Sequence, residues 1–364
     1  MRLTLVAPLV APLRAAQTGG TQAMVADLAR GLVARGEQVE LVVPRGSSVP
    51  GVRLRRAPGG PYGAELVHPS GEGVPTAERR DGWPSAQAAA YLRIASDLRA
   101  APPDVVHAHA LDWASFYALA AAGLPSVHTL HLGPLDPAAA AAARAAAVAG
   151  PRPRFVAVSR SCAGLWRGIV PVDAVIGNGV DPASVPFSAR PQPDLAIVAG
   201  RIAPEKGTHL ALAAARRAGM RVLLAGEVYD RAYFEEQVAP LIDGGVEHAG
   251  HVSRRRLGIL YGRAAVALVA SLWEEPFGMV AVEANLAGTP VAGFARGALP
   301  YVVGEQGGVL SDEATAAALA RAIPRAVALD RGSVRRAAAR RHSLDRMLDR
   351  YQRLYAQVAG EASR

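Results

Sequence analysis

The chain has 364 residues and a formal net charge of +9, and its forty cationic side chains are thirty-nine arginines and a single lysine, Lys206. Although 51% of the residues are apolar, no uninterrupted apolar run is long enough to cross a bilayer as a helix, which argues against an integral membrane protein. Cys162 stands alone, which excludes an intramolecular disulfide and fits a reducing, cytoplasmic setting.

Heavy use of Ala, Gly, Pro and Arg is what GC-rich coding gives and points to a bacterial source. The basic runs at 53–56, 254–256 and 335–341 are not interleaved with aromatics, so nucleic acid is not an expected partner. Most of this charge is expected on a solvated face, with weak peripheral attraction to anionic lipid as the alternative use.

In chain order, the opening "MRLTLVAPLVAPLRAA" imitates a secretion signal, but Pro8, Pro12 and Arg14 interrupt it, and "LTLVAP" reads as a buried first strand. After Gly19 and Gly20, apolar Met24, Leu28 and Leu32 recur at helical spacing over 21–34, Gly36 ends the helix, and "QVELVVP" starts the next strand. This is a βαβ unit. "PDVVHAH", "PSVHTLH", "RFVAVS" and "DAVIGNG" follow as short strands, and the Ala-rich run 137–149 as a surface helix. The Pro- and Ser-rich stretch 181–194 has no period and reads as a linker.

Beyond it the alternation restarts: strand "LAIVAGR", helix "GTHLALAAARRAG", strand "RVLLAGE", a helix over 233–241, strand "VEHAG", and a helix from Arg254. Strand "VALVAS", helix "GMVAVEANLAG" and strand "PVAGF" complete the run, and an amphipathic helix with Met347, Tyr351 and Leu354 on one stripe follows. The expected architecture is α/β: two doubly wound parallel-sheet domains, 1–180 and 195–342, facing a central cleft, with 181–194 as linker. The last segment, 343–364, is expected to pack back on the first domain.

Ligands of open parallel sheets sit at the carboxyl ends of strands, beside helix N-termini. "GRIAPEKG" at 200–207 places Arg201 and Lys206 on such a loop, where two cations and a helix dipole attract the same phosphate or diphosphate. A compact ammonium is not interchangeable with a planar guanidinium at a tight anion site, which gives the one lysine of an arginine-rich chain a reason to be there. In "SLWEEPFGMVAVEANLAGTPV", Glu275 and Glu283 are eight residues apart, up to about 12 Å if the rise is helical throughout, the scale of a nucleotide sugar. Carboxylates suit polyols as multiple acceptors; the plainer readings are a helix-terminus charge for Glu275 and a solvent-facing residue for Glu283. Gly19 and Gly20 permit close backbone approach to a phosphate, or simply make a turn. Neither GxGxxG after a strand nor GxxxxGK[ST] is present, so the nicotinamide and P-loop fingerprints are lacking.

These stretches together resemble the retaining glycosyltransferases of family 4, the group 1 glycosyltransferases, which have the GT-B fold of two Rossmann-like domains. "GRIAPEKG", "EEPFGMVAVEANLAGTPV" with its E-x7-E spacing, and "RGALPYVV" carry the resemblance in the second half. "GGTQAMVADLARGLVARGEQVELVV", "PDVVHAH", "VHTLH", "AVSRSC" and "VIGNGVD" carry it in the first half. The resemblance implies transfer of a hexose-type sugar from a nucleoside diphosphate donor to a hydroxyl acceptor, soluble or lipid-linked. Arg201 and Lys206 would grip the diphosphate. Glu275, with the N–H groups of Phe277 and Gly278, would hold the sugar, and Glu283 the ribose. Gly20 would approach the phosphate, His131 would face the reacting sugar, and His109 would line the pocket, unless either histidine is only a hydrogen-bonded strand end.

Tyr301 departs from the family pattern, which has Glu there, and "GEQGGVLSD" departs from its Gly-rich turn. No D-x-D occurs, in keeping with a site that needs no metal and no cofactor. The same fold would also suit a sugar-nucleotide epimerase or hydrolase, or a non-catalytic sugar-nucleotide sensor.

Overall fold

The structure, a computed structural model, describes residues 1–14, 20–59 and 83–362. The described chain separates into two compact units: one gathers most of residues 1–177 together with 345–364, the other 178–344.

The first unit is built from β1 (Arg2–Val6), α1 (Gly20–Ala34), β2 (Gln38–Val43), β3 (Arg53–Arg56), α2 (Trp83–Ala100), β4 (Val105–Ala108), α3 (Trp113–Ala121), β5 (Ser126–Leu130), α4 (Pro137–Val148), β6 (Arg154–Ala157), α5 (Arg160–Leu165) and β7 (Val172–Val175). Its parallel sheet has the order β3-β2-β1-β4-β5-β6-β7. The central strands are apolar on both faces because helices cover both, so Leu3, Leu5, Val6, Leu41 and Val106 are all buried. The basic run 53–56 is not only a solvated face: it forms edge strand β3, with Arg53 and Arg55 paired to Glu40 of β2. Charge on an edge strand discourages pairing with another chain.

The second unit runs β8 (Gln192–Ala199), α6 (Thr208–Arg217), β9 (Arg221–Ala225), α7 (Arg231–Tyr233), β10 (Val246–Gly250), α8 (Arg254–Arg263), β11 (Ala264–Val269), α9 (Met279–Leu286), β12 (Val291–Phe294), α10 (Leu299–Gly307), β13 (Gly308–Ser311), α11 (Ala316–Val327) and α12 (Arg331–His342). Its parallel sheet has the order β10-β9-β8-β11-β12-β13. Val198, Leu212, Leu224, Val266, Leu268, Phe294 and Leu319 form its core.

Several elements differ from the sequence reading. Strand β8 begins at Gln192, so the last residues of the stretch read as linker are paired in the sheet. The helix read over 233–241 is one α turn, a π segment and a 3-10 turn, because Pro240 lacks the N–H a regular helix needs. In α12, two arginines of the basic surface turn inward. Arg331 donates to the carbonyls of Ser188, Ala264 and Gly262, and Arg335 to those of Val185, Leu286 and Pro182. A planar guanidinium with five donors can satisfy several chain-end carbonyls that a lysine could not. Burial pushes the Arg331 guanidinium down to about 10.

The final helix, α13 (Leu344–Ala362), belongs to the first unit from Asp345 onward. Met347, Leu348, Tyr351, Leu354, Tyr355 and Val358 form its buried stripe. The Tyr351 and Tyr355 hydroxyls reach Thr129 Oγ1 at 2.8 Å and His107 Nδ1 at 2.6 Å, while Arg35 binds Asp345 at 2.8 Å and Asp349 at 2.6 Å.

Candidate functional site

In each sheet the winding reverses beside the first strand, between β1 and β4 and between β8 and β11. Such switch points open a crevice beyond the carboxyl ends of the strands. In the second unit, that is where the sequence-predicted residues gather. The chain leaves β8 through Gly200 and Arg201, makes a 3-10 turn over Pro204–Lys206, and enters α6. Gly207 caps that helix with φ 61°, and a Cβ there would lie 2.2 Å from the Ala270 carbonyl oxygen. Only glycine allows both the left-handed backbone and this approach of the β8 loop to the β11 loop. Leu272 N–H donates to the Glu205 carbonyl at 2.8 Å and fastens the two loops together.

That junction brings Lys206 to Glu275, sixty-nine positions later in the chain: Nζ lies 2.8 Å from Oε2 and 3.2 Å from Oε1. The same Oε2 accepts from Ser271 Oγ at 2.8 Å and Trp273 Nε1 at 2.9 Å. Burial pushes the Glu275 carboxyl up, but the Lys206 charge and the hydrogen bonds from Lys206, Ser271 and Trp273 outweigh it, and the group ends below its ordinary value. Arg201 pairs with the buried Glu205 at 3.8 Å. Gly297 of the "RGALPYVV" stretch braces Glu275 from behind: Ala298 N–H donates to the Glu275 carbonyl at 2.8 Å, and a Cβ on Gly297 would lie 2.3 Å from that oxygen.

Glu275 precedes α9, so the rise to Glu283 is not helical throughout. Gly278 caps α9 at φ 96°, Phe277 is buried against the His342 ring, and the first-turn N–H groups precede the first intrahelical bond, Ala281 N–H to Gly278 O. Glu283, on α9, accepts from Arg254 Nε at 3.1 Å. Arg254 therefore leaves the solvated basic run in which its sequence placed it. Tyr301 is 61% exposed, and its ring lies against Arg341 and His342.

In the first unit, Gly20 is the exposed first residue of α1, and Gly19 lies outside the described residues. His109 and His131 follow β4 and β5, both buried, with His131 Nε2 at 3.1 Å from His109 Nδ1. His109 Nε2 meets no hydrogen-bond partner among the described residues. His107 is taken by Tyr355 and Thr129, and His128 lies between Phe116 and Phe155. Burial pushes His131 down to about 3 and His128 to about 4, and it lowers His107 and His109 well below the ordinary value with help from their histidine neighbours.

These rings are neutral when folded and take a proton when unfolded below about pH 6.5. The stability this burial supports is present above pH 6.5 and drains away as pH falls toward 4 and then 3, by about 1.4 kcal/mol per pH unit for each histidine. Thermal melts at pH 7.5, 6, 5 and 4.5 are expected to show a steepening loss of melting temperature, smaller in His128→Phe. A melting temperature flat from 7.5 to 4.5 contradicts the buried neutral cluster.

Two family models match end to end: glycosyltransferase family 4 over residues 18–184 and glycosyl transferases group 1 over 184–342. The chain belongs to the group 1, family 4 glycosyltransferases. Glycogen synthase of Mycobacterium tuberculosis is 35% identical to this family 4 chain over 180 residues, 47% of the chain and 43% of that relative's length. The matched stretch thus spans less than half of that relative. A solved glycosyltransferase involved in avilamycin A biosynthesis is similar at 26% identity and a TM-score of 0.69, over 99% of this chain and 98% of that one. HepE of Anabaena, in complex with UDP and glucose, has a TM-score of 0.75 at 16% identity, over 98% of this chain and 100% of its own, a likeness of fold. The two parallel α/β units are those of GT-B glycosyltransferases.

The sequence singled out both ends of the Lys206–Glu275 pair. It missed three side chains that hold the site. Ser271 and Trp273 lie inside the quoted acidic stretch, where two donors beside a carboxylate were a readable signal. Arg254, twenty-nine residues before Glu283, left none.

Proposed function

We propose that the chain moves a hexose-type sugar from a nucleoside diphosphate donor to a hydroxyl acceptor, with retention at the anomeric carbon and without a metal ion. The observation that carries this reading is the Lys206–Glu275 pair, which joins the loops after β8 and β11 at the switch point of the second sheet, with Arg201 on the same β8 loop. Arg201 and Lys206 take the diphosphate, where negative charge grows as the donor bond breaks, so fixed cations stabilise the transition state more than the ground state. Glu275 accepts hydroxyl hydrogen bonds from the sugar, and Glu283 those of the ribose. His131 is assigned to the reacting sugar and His109 to its support.

Glu275 already accepts from Lys206, Ser271 and Trp273, which suits an anchor better than the free nucleophile a double displacement requires. We therefore assign same-face transfer: the bond from anomeric carbon to phosphate oxygen breaks, the acceptor oxygen bonds from the same side, and its proton goes to the departing phosphate. HepE, of the same fold, is known with UDP and glucose, which supports this donor class by analogy. The acceptor is assigned as a hydroxyl compound, soluble or lipid-linked; among the described residues no helix is long and apolar enough to cross a membrane.

The test incubates the protein with UDP-, GDP-, ADP- and TDP-sugars and a panel of hydroxyl acceptors in EDTA, with proton NMR of the product. The reading expects acceptor-dependent release of one nucleoside diphosphate and a product of unchanged anomeric configuration. An inverted product, or activity restored only by a divalent cation, rejects retention or metal independence. Donor consumption without acceptor points to a hydrolase or epimerase, and binding without turnover to a sensor.

A further inference from the structure

Each cation of the β8 loop lies over an aromatic ring as well as beside a carboxylate. The Arg201 guanidinium carbon is 4.6 Å from the centroid of Tyr229, and Lys206 Nζ is 4.7 Å from that of Trp273. The two rings come from the two strands that flank β8. Tyr229 follows β9, whose loop is stitched to the β8 loop by Ile202 N–H to Glu227 O at 2.8 Å and Tyr229 N–H to Ile202 O at 3.1 Å. Trp273 follows β11, whose loop is stitched to the other side through Leu272 N–H and Glu205 O.

Carboxylate and ring act differently on a cation that must bind phosphate. Glu205 and Glu275 orient Arg201 and Lys206 but also neutralise them, and their charge repels an arriving diphosphate. An aromatic face attracts the cation through its quadrupole and adds no net charge. When the phosphate oxygens draw on Lys206, the ring still fixes its position and leaves its charge available. Trp273 has a second grip, since its Nε1 donates to Glu275 Oε2 and so ties carboxylate and ammonium to one rigid group.

We infer that Tyr229 and Trp273 are positioning residues for the diphosphate: two rings, one from each flanking strand, that hold Arg201 and Lys206 in place without cancelling their charge. This rests on the donor reading above. It assigns to the rings an effect on the phosphates of the ligand and none on its base or ribose.

The experiment uses the full chain carrying Trp273→Leu, Trp273→Phe, Tyr229→Leu or Tyr229→Phe. Calorimetric affinities are measured for UDP and for uridine, or for the matching pair among GDP, ADP and TDP if another base binds. Each leucine variant is expected to weaken the diphosphate about tenfold and leave the nucleoside unchanged. Tyr229→Phe restores wild-type affinity because the ring face is kept, and Trp273→Phe falls between because its ring remains but the N–H to Glu275 is lost. Unchanged diphosphate affinity in both leucine variants overturns the inference while leaving the donor reading intact. Equal weakening of nucleoside and diphosphate, without phenylalanine rescue, shows a merely structural role and overturns it too. A wild-type protein that binds none of the four diphosphates removes the donor reading, and the inference with it.

Discussion

Replacing Lys206 with alanine is expected to lower turnover of the sugar nucleotide by about 10²–10³-fold, the loss that follows removal of one preorganised group facing a developing negative charge. The change also leaves the Glu275 carboxylate, only 12% exposed, without its cation, a lysine that in the wild type is only 24% exposed. In the wild type this carboxyl sits below its ordinary value, so the pair contributes stability that is present above the unfolded value and lost as pH falls through the folded one. Lys206→Ala removes that contribution, and a loss of about 1–3 kcal/mol at neutral pH is expected, less than for a fully buried pair. Lys206→Arg is the sharper variant. A guanidinium can pair with the Glu275 carboxylate and stack on the Trp273 indole, but it is larger and planar and does not put a compact, rotatable charge where Lys206 Nζ would meet the phosphate, so turnover stays at least about tenfold down. Steady-state rates with a fixed donor decide it; a wild-type rate in Lys206→Arg means that the unique lysine is an accident of composition.

Glu275→Gln is expected to separate binding from chemistry. The amide oxygen still accepts from Ser271 and Trp273, while Lys206 is released from its carboxylate. Affinity for the nucleoside diphosphate should hold or rise, because the cation no longer shares its charge. Turnover should fall about 100-fold, because the acceptor that orients the sugar hydroxyls is weakened and lost interactions felt in the transition state appear in kcat. Measuring kcat beside the diphosphate affinity checks both halves. A parallel loss of the two would make Glu275 a structural brace for Lys206 and remove its role toward the sugar.

The fold was legible because parallel strands covered on both faces read as short apolar runs, and "LTLVAP", "LAIVAG" and "VALVAS" became β1, β8 and β11. The candidate site was legible where it lies on strand ends: Arg201, Lys206 and Glu275 occupy loops at a switch point of the second sheet, where parallel sheets in general bind ligands. What stayed hidden depends on contacts between elements distant in sequence. Arg331 and Arg335 look like surface charge until the carbonyls they satisfy are brought to them by the packing of α12. Arg254 meets Glu283 only because α8 and α9 lie side by side. Tyr229 carries no motif, and its ring reaches Arg201 through the backbone stitching of two neighbouring loops. The histidine at 131 was legible as a strand end, and its neutral, buried state came from packing.

The most direct measurement is a calorimetric titration of the wild type and of Arg201→Ala with UDP, GDP, ADP and TDP in EDTA. The account predicts that one of the four binds the wild type, indifferent to EDTA, and that Arg201→Ala weakens it at least about tenfold, as loss of a charge-assisted contact to phosphate requires. Equal binding by the two proteins, or no binding by the wild type, would contradict a diphosphate site at the end of β8.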